Sequence, residues 1–234
     1  MPELINKHRT AILIFANSST EELRNKAISK GNILFGSLTE HALNTVKKTG
    51  LPFYLLTEKE QYGNSFGERF VNAINSVFDK GFESVITIGN DTPHLKSNDI
   101  LKASKSINAK KFVLGPSTDG GFYLMGLHKS QFHEGNFRKL PWQTTSLSKK
   151  IAGLIEAHNV QVIRLHILQD LDHPSDLKKV LNAYRTGFKK IIQLIISLLA
   201  PMKWNFHHQC ILVRINFENK YFNKGSPFGS TILS

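Results

Sequence analysis

Between Ala11 and Tyr184, short runs of β-branched and aliphatic residues alternate with segments whose apolar residues recur every three or four positions. This alternation constrains the fold more than any other feature. Strands separated by helix-length segments build βαβ units and a mostly parallel sheet. The expected strands are Ala11 to Ala16, Pro52 to Leu56, Val85 to Ile88, Lys111 to Leu114, Phe122 to Leu127 and Val160 to Leu165. Helical spacing predicts helices at Glu21 to Ile28, Leu38 to Lys48, Asn98 to Ser106, Leu147 to Ala157 and Ser175 to Tyr184. A further helix carries Phe66, Phe70, Ala73, Ile74 and Val77 on one face.

A chain of 234 residues, 41% hydrophobic, suits one medium domain or one domain with an appendage. Its single cysteine, Cys210, excludes an intrachain disulfide and a cysteine-only metal site, and fits a reducing, cytoplasmic setting. Met1 to Lys7 lacks an apolar run and a cleavage pattern, so no secretory leader is expected. The net charge of +12 is uneven. From Lys178 onward nine bases face the lone acid Glu218, which accounts for eight of the twelve charges.

That basic end defines a second segment, 187–234, beyond a catalytic domain expected at 1–186. Phe188 to Ala200 is almost continuously apolar, from Ile191 and Ile192 to Leu198 and Leu199. It is too short for a membrane span, which needs roughly 20 such residues. The expectation is a helix packed on protein with a solvated basic face. Lys189 and Lys190 keep a membrane-surface contact open as the other reading. Ile211 to Phe217 reads as a strand. His207 and His208 beside Cys210 match no zinc spacing. Nothing points to a specific nucleic acid, and the oligomeric state is not legible.

Four segments carry candidate chemistry. The strand Val85 to Ile88 runs into Gly89, Asn90, Asp91, Thr92 and Pro93. A carboxylate there stands where open α/β sheets bind ligands, and can hold a divalent cation against phosphate oxygens. It can equally cap a helix that begins at Pro93. In Gly115 to Gly126, Asp119 precedes Gly120 and Gly121, which let backbone approach a ligand or turn tightly. Trp142, in Leu140 to Thr145, is suited to cover a ring or sugar, or to fill the core beside a helix cap. In Leu168 to Leu177, Asp170 and Asp172 alternate on an extended segment and so share a face. Two such carboxylates repel unless a cation or proton lies between them.

Taken in order, Gly-Asn-Asp-Thr-Pro, Gly-Pro-Ser-Thr-Asp-Gly-Gly-Phe-Tyr-Leu-Met-Gly-Leu, Leu-Pro-Trp-Gln-Thr and Asp-Leu-Asp-His-Pro-Ser-Asp-Leu resemble one family. It is the bacterial domain-of-unknown-function branch of the GT-A glycosyltransferase superfamily, related to the guanylyltransferases of molybdenum-cofactor and phospholactate metabolism. Gln61 to Phe70 resembles its Gln-x-Gly segment and Phe-Gly-x-Arg helix start. The resemblance covers about Arg9 to Arg185.

It implies a three-layer α/β/α nucleotide-diphospho-sugar transferase sandwich using Mg2+ or Mn2+. The implied function is a metal-dependent glycosyltransferase acting with a nucleotide sugar on a small-molecule or lipid acceptor. The alternatives are a nucleotidyltransferase or an inactive binding module. By the same resemblance Asp91 and Asp172 are metal ligands. Asp119 and Asp170 position the acceptor hydroxyl or take its proton. Gly89, Asn90, Gly120, Gly121 and Trp142 line the donor site. The chain departs from the pattern at Phe15 to Lys26, which lacks the family's glycine loop and Lys-Thr-Arg run. There Asn17, Arg24 and Lys26 are the candidates to meet phosphate. Asn90 also stands where a two-acid clamp would place an acid.

Overall fold

The computed structural model describes residues 9–26, 28, 31–183 and 189–199. The strand expected at Ile211 to Phe217, and His207, His208 and Cys210, lie outside them.

Six strands form one sheet: β1 (Thr10–Phe15), β2 (Phe53–Leu56), β3 (Ser84–Ile88), β4 (Lys111–Pro116), β5 (Phe122–His128) and β6 (Gln161–Arg164). Their spatial order is β2-β1-β3-β5-β4-β6. Only β5 runs against its neighbours, between β3 and β4, so the sheet is mostly parallel as the alternation predicts. Six strand-length runs in the sequence thus became six strands.

The helices are α1 (Ser19–Asn25), α2 (Asn32–Lys47), α3 (Phe66–Phe78), α4 (Ser97–Ser106), α5 (Glu134–Arg138), α6 (Leu147–Glu156), α7 (Pro174–Ala183) and α8 (Lys189–Leu199). α2 begins six residues before the expected Leu38, because Leu34 and Phe35 extend its buried stripe. α5 and a 3-10 turn at Lys129–Gln131 lack a long apolar period and escape sequence reading.

Side-chain alternation along the strands divides the core into two layers. Ala11, Leu13, Val85, Phe112 and Met125 pack against α3, α5 and α6. Ile12, Ile14, Ile86, Ile88 and Leu124 pack against α2 and α4 on the other face. The result is an α/β/α sandwich. A third cluster joins Leu34, Phe35 and Leu38 of α2 to Leu177 and Val180 of α7 and to Ile191 and Ile195 of α8. The apolar run after Phe188 is therefore a helix seated on protein, within the compact unit that extends to Leu199. Among the described residues no helix is long and apolar enough to cross a membrane.

Candidate active site

Because β5 is antiparallel, its amino end meets the carboxyl ends of β1, β3 and β4 at one edge of the sheet. The loops leaving that edge enclose a cleft of about 1030 Å³. An extended segment, Leu168 to Asp172, crosses it. Leu168 N–H donates to the Pro116 carbonyl, Thr118 N–H to the Leu168 carbonyl, and Leu171 N–H to the Asp91 carbonyl. These bonds lay the fourth sequence motif across the ends of β4 and β3.

Asp91, Asp119, Asp170 and Asp172 all line the cleft. One carboxylate oxygen from each of Asp119, Asp170 and Asp172 lies within 4.8 Å of the others. Asp119 is exposed, and its Oδ1 accepts from Ser117 Oγ at 2.5 Å and from Gly121 N–H at 2.9 Å. Asp170 is buried, and its Oδ1 accepts from Thr92 Oγ1 at 2.5 Å. Burial, reinforced by the charge of Asp91, pushes the Asp170 carboxyl up to about 8. Asp172 is raised by the same two causes in the same order, with Lys26 opposing them.

Asp91 and Asp172 are held by one cation, the ammonium of Lys26. Lys26 Nζ lies 2.9 Å from Asp91 Oδ2, 2.9 Å from Asp172 Oδ1 and 2.9 Å from Glu22 Oε2, and donates to the Leu171 carbonyl at 3.0 Å. Burial disfavours the ammonium, but Asp91, Glu22 and Asp172 outweigh it and drive its proton affinity up. The local fold explains the placement. Ser18 caps α1 by accepting from Glu21 N–H, and α1 ends at Asn25 rather than at the expected Ile28. Lys26 is then extended (φ −108°, ψ 123°) and reaches the cleft.

The other candidates divide. Asn17 donates to Glu22 Oε1, and its carbonyl accepts from Asn90 Nδ2, which also donates to Thr39 Oγ1. Asn90 thus ties the loop after β3 to the loop after β1 and to α2. Gly89 and Gly121 line the cleft, whereas Gly120 does not. Gly120 has φ +92°, and a Cβ there would lie 1.9 Å from the Thr145 carbonyl oxygen. Its role in the structure is the close packing of the Asp119 loop onto the start of α6. Arg24 is exposed, pairs with Glu21 and is not among the cleft-lining residues. Trp142 donates from Nε1 to the Phe137 carbonyl and packs with Phe66 and Phe70 at centroid separations of 5.4 and 4.9 Å. A Cβ on Gly67 would meet its ring at 2.6 Å, so Gly67 at the start of α3 makes room for it. Trp142 is both a core aromatic and a wall of the cleft.

Sequence reading passed over Glu22 and Glu58 and gave Gln61 and Arg69, in the Gln-x-Gly and Phe-Gly-x-Arg segment, no site role; all four line the cleft. Glu22 was detectable: it precedes Lys26 by one helical turn, the spacing of an ion pair. Glu58 receives Ser18 N–H and Ser18 Oγ–H, both at 2.7 Å, so it occupies the donors at the start of α1. Although the chain is strongly basic, the cleft is acidic. Glu21, Glu22, Glu58, Asp91, Asp119, Asp170 and Asp172 outnumber Lys26 and Arg69 among its lining residues.

Residues 40–144 match a protein family. The family is described as "Uncharacterized protein conserved in bacteria (DUF2064)". The matching stretch contains β2 to β5, Asp91, Asp119 and Trp142. No curated protein matches the chain. Among solved structures, a Desulfovibrio desulfuricans G20 protein provisionally described as a nucleotide-diphospho-sugar transferase superposes with a TM-score of 0.71. It is 19% identical, and the match covers 81% of this chain and 96% of that one. That likeness shows the fold, an α/β/α sandwich shared with that protein. More distant matches are a Methanothermobacter nucleotidyl transferase (TM-score 0.47, 10% identical, 75% of this chain and 97% of that one) and Rv0371C of Mycobacterium tuberculosis H37Rv in complex with manganese (0.43, 13%, 75% and 98%).

Proposed function

We propose that this protein is a divalent-metal-dependent transferase of the glycosyl type, taking a nucleotide-activated sugar into the acidic cleft. The observation that carries the reading is the convergence of Asp91, Asp119, Asp170 and Asp172 in a large cleft with the aromatic wall Phe66, Phe70 and Trp142. A nucleotide diphosphate is repelled by this many carboxylates unless a cation accompanies it. The donor set fits a hard cation, because all its groups are oxygens. Asp172 with Asp119 and Asp170, or with Asp91, would hold the ion, and the ion would neutralise charge on the leaving diphosphate.

The residues of the chain supply the rest. The flat faces of Phe66 and Trp142 suit a base or sugar ring. Asp119, the exposed acid of the cleft lining, orients an acceptor hydroxyl. As that oxygen bonds to the anomeric carbon and the bond to the diphosphate oxygen breaks, its proton passes to Asp119 or Asp170. Nucleotidyl transfer, the other transferase chemistry, calls for a triphosphate cradle of backbone N–H groups after β1. Here that loop has no glycine, and Glu58 already takes the Ser18 N–H. This favours sugar transfer.

Calorimetry with nucleoside diphosphates and nucleotide sugars, with and without Mn2+, tests the proposal. Mn2+-dependent binding of a nucleotide sugar, and release of nucleoside diphosphate on turnover, are expected. Release of pyrophosphate from a triphosphate would assign nucleotidyl transfer instead, and absence of any nucleotide binding would refute both.

A further inference from the structure

Glu22 is only 5% exposed, and its Oε2 is buried without a hydrogen bond among the described residues. Such an oxygen is costly to bury unless a cation lies against it. The Lys26 ammonium, 2.9 Å away, is that cation. The same nitrogen meets Asp91 Oδ2, Asp172 Oδ1 and the Leu171 carbonyl. Four oxygens from four residues therefore surround one nitrogen. An ammonium has three protons to give, one fewer than the four oxygens around it, and its hydrogen bonds run to Asp91 Oδ2 and the Leu171 carbonyl. A hard divalent ion has no such limit: it accepts six or more oxygens, drawn closer than an ammonium permits. The three carboxylates carry three negative charges, of which Lys26 offsets one and a divalent ion in its place would offset two.

We infer that Glu22, Asp91, Asp172 and the Leu171 carbonyl form a divalent-cation site that Lys26 occupies in the metal-free protein, so that metal entry and Lys26 departure are one event. The inference rests on the reading of the cleft as a metal-using site, and it adds Glu22 as a ligand and Lys26 as the competitor. The competition has a structural purpose. Without a cation the repulsion of Glu22, Asp91 and Asp172 would open the ends of β3 and α1. Lys26 holds them around one point, from which they would close in on the ion. Asp172 also belongs to the group with Asp119 and Asp170, so removing Lys26 from it changes the charge felt by both acids.

The test is titration of the full chain with Mn2+ alone, by calorimetry and by melting temperature. Wild type is compared with Lys26→Met and with the double variant Lys26→Met/Glu22→Gln. Lys26→Met should bind Mn2+ about tenfold or more tightly than wild type, and Mn2+ should raise its melting temperature by more. That variant leaves Glu22, Asp91 and Asp172 without a counter-charge, so its melting temperature without metal should fall below that of wild type. The double variant restores the wild-type net charge of the shell, with two carboxylates and no ammonium, and should still bind Mn2+ more tightly than wild type. Affinity equal to or below wild type in both variants overturns the inference. No nucleotide enters the experiment, so the outcomes separate. Tighter Mn2+ binding in the variants, in a protein that binds no nucleotide sugar, keeps the Lys26 site and refutes the transferase. Mn2+ binding lost with Asp119→Asn and indifferent to both Lys26 variants refutes the Lys26 site alone.

Discussion

Gly120→Ala should damage the protein far more than a single methyl ordinarily does. Gly120 has φ +92°, and the new Cβ would sit 1.9 Å from the Thr145 carbonyl oxygen and 2.5 Å from its carbon. Backbone in this region costs an L-residue about 1–2 kcal/mol. The clash is with main chain, so no rotamer relieves it. The loop must move away from α6, which breaks the 3.0 Å bond from Ser148 N–H to the Gly120 carbonyl, worth about 1 kcal/mol. The sum is about 3 kcal/mol, or a fall in Tm of roughly 6–12 °C for a chain of this size. Asp119, held through Ser117 and Gly121 in the same loop, should move with it, and Mn2+ affinity should fall. The matched control is Gly153→Ala in α6, where the added Cβ meets nothing within 4 Å. Replacing an exposed helical glycine should stabilise by about 0.5–1 kcal/mol. Thermal melts of the two variants beside wild type decide the matter. A Gly120→Ala protein melting within 2 °C of wild type (roughly 1 kcal/mol or less) refutes the clash and the packing role assigned to that glycine.

Asp170 predicts a pH dependence. Its folded value, pushed up to about 8, lies above the usual carboxyl value. Between the two the fold retains a proton that the unfolded chain has lost, so this group's contribution to stability is lost as pH rises toward about 8. Mn2+ needs the carboxylate, so its affinity should climb over that range by up to about tenfold per pH unit; titration of Asp170→Asn should show a flatter slope, and an unchanged slope would assign the effect elsewhere. His94 gives the opposite sign: burial, with His41 and then Lys96 nearby, lowers it to about 4. The folded protein should therefore lose stability as pH falls from the usual histidine range toward about 4, and a urea-melt series in which His94→Gln retains the same acid slope would count against it. Ile195 is fully buried in α8 against α2 and α7, so Ile195→Ala should cost about 2–5 kcal/mol. A loss under about 1 kcal/mol by denaturant titration would show that α8 adds little to the fold.

The sequence by itself determined the sheet. Strand identity depends on which residues are β-branched and apolar over four to seven positions, a local property, and the two buried faces follow from simple alternation, as with Ile12 and Ile14 against Ala11 and Leu13. The motif acids were legible for the same reason: each follows a strand end, and strand ends in such sheets converge. Local pattern could not say that α1 ends at Asn25. Three further residues of helix would have turned the Lys26 side chain along the helix surface instead of into the cleft. Nor could it say that Glu58, forty residues from Ser18, would occupy the start of α1. Those outcomes depend on contacts between segments remote in sequence, where the energy of a buried charge is set by what the rest of the fold brings beside it. Lys26 shows the difference most plainly. In the sequence it is one of many bases in a basic chain. In the structure it is the cation between Glu22, Asp91 and Asp172, because three carboxylates brought to one point by separate elements, one of them buried, stay together only around a positive charge.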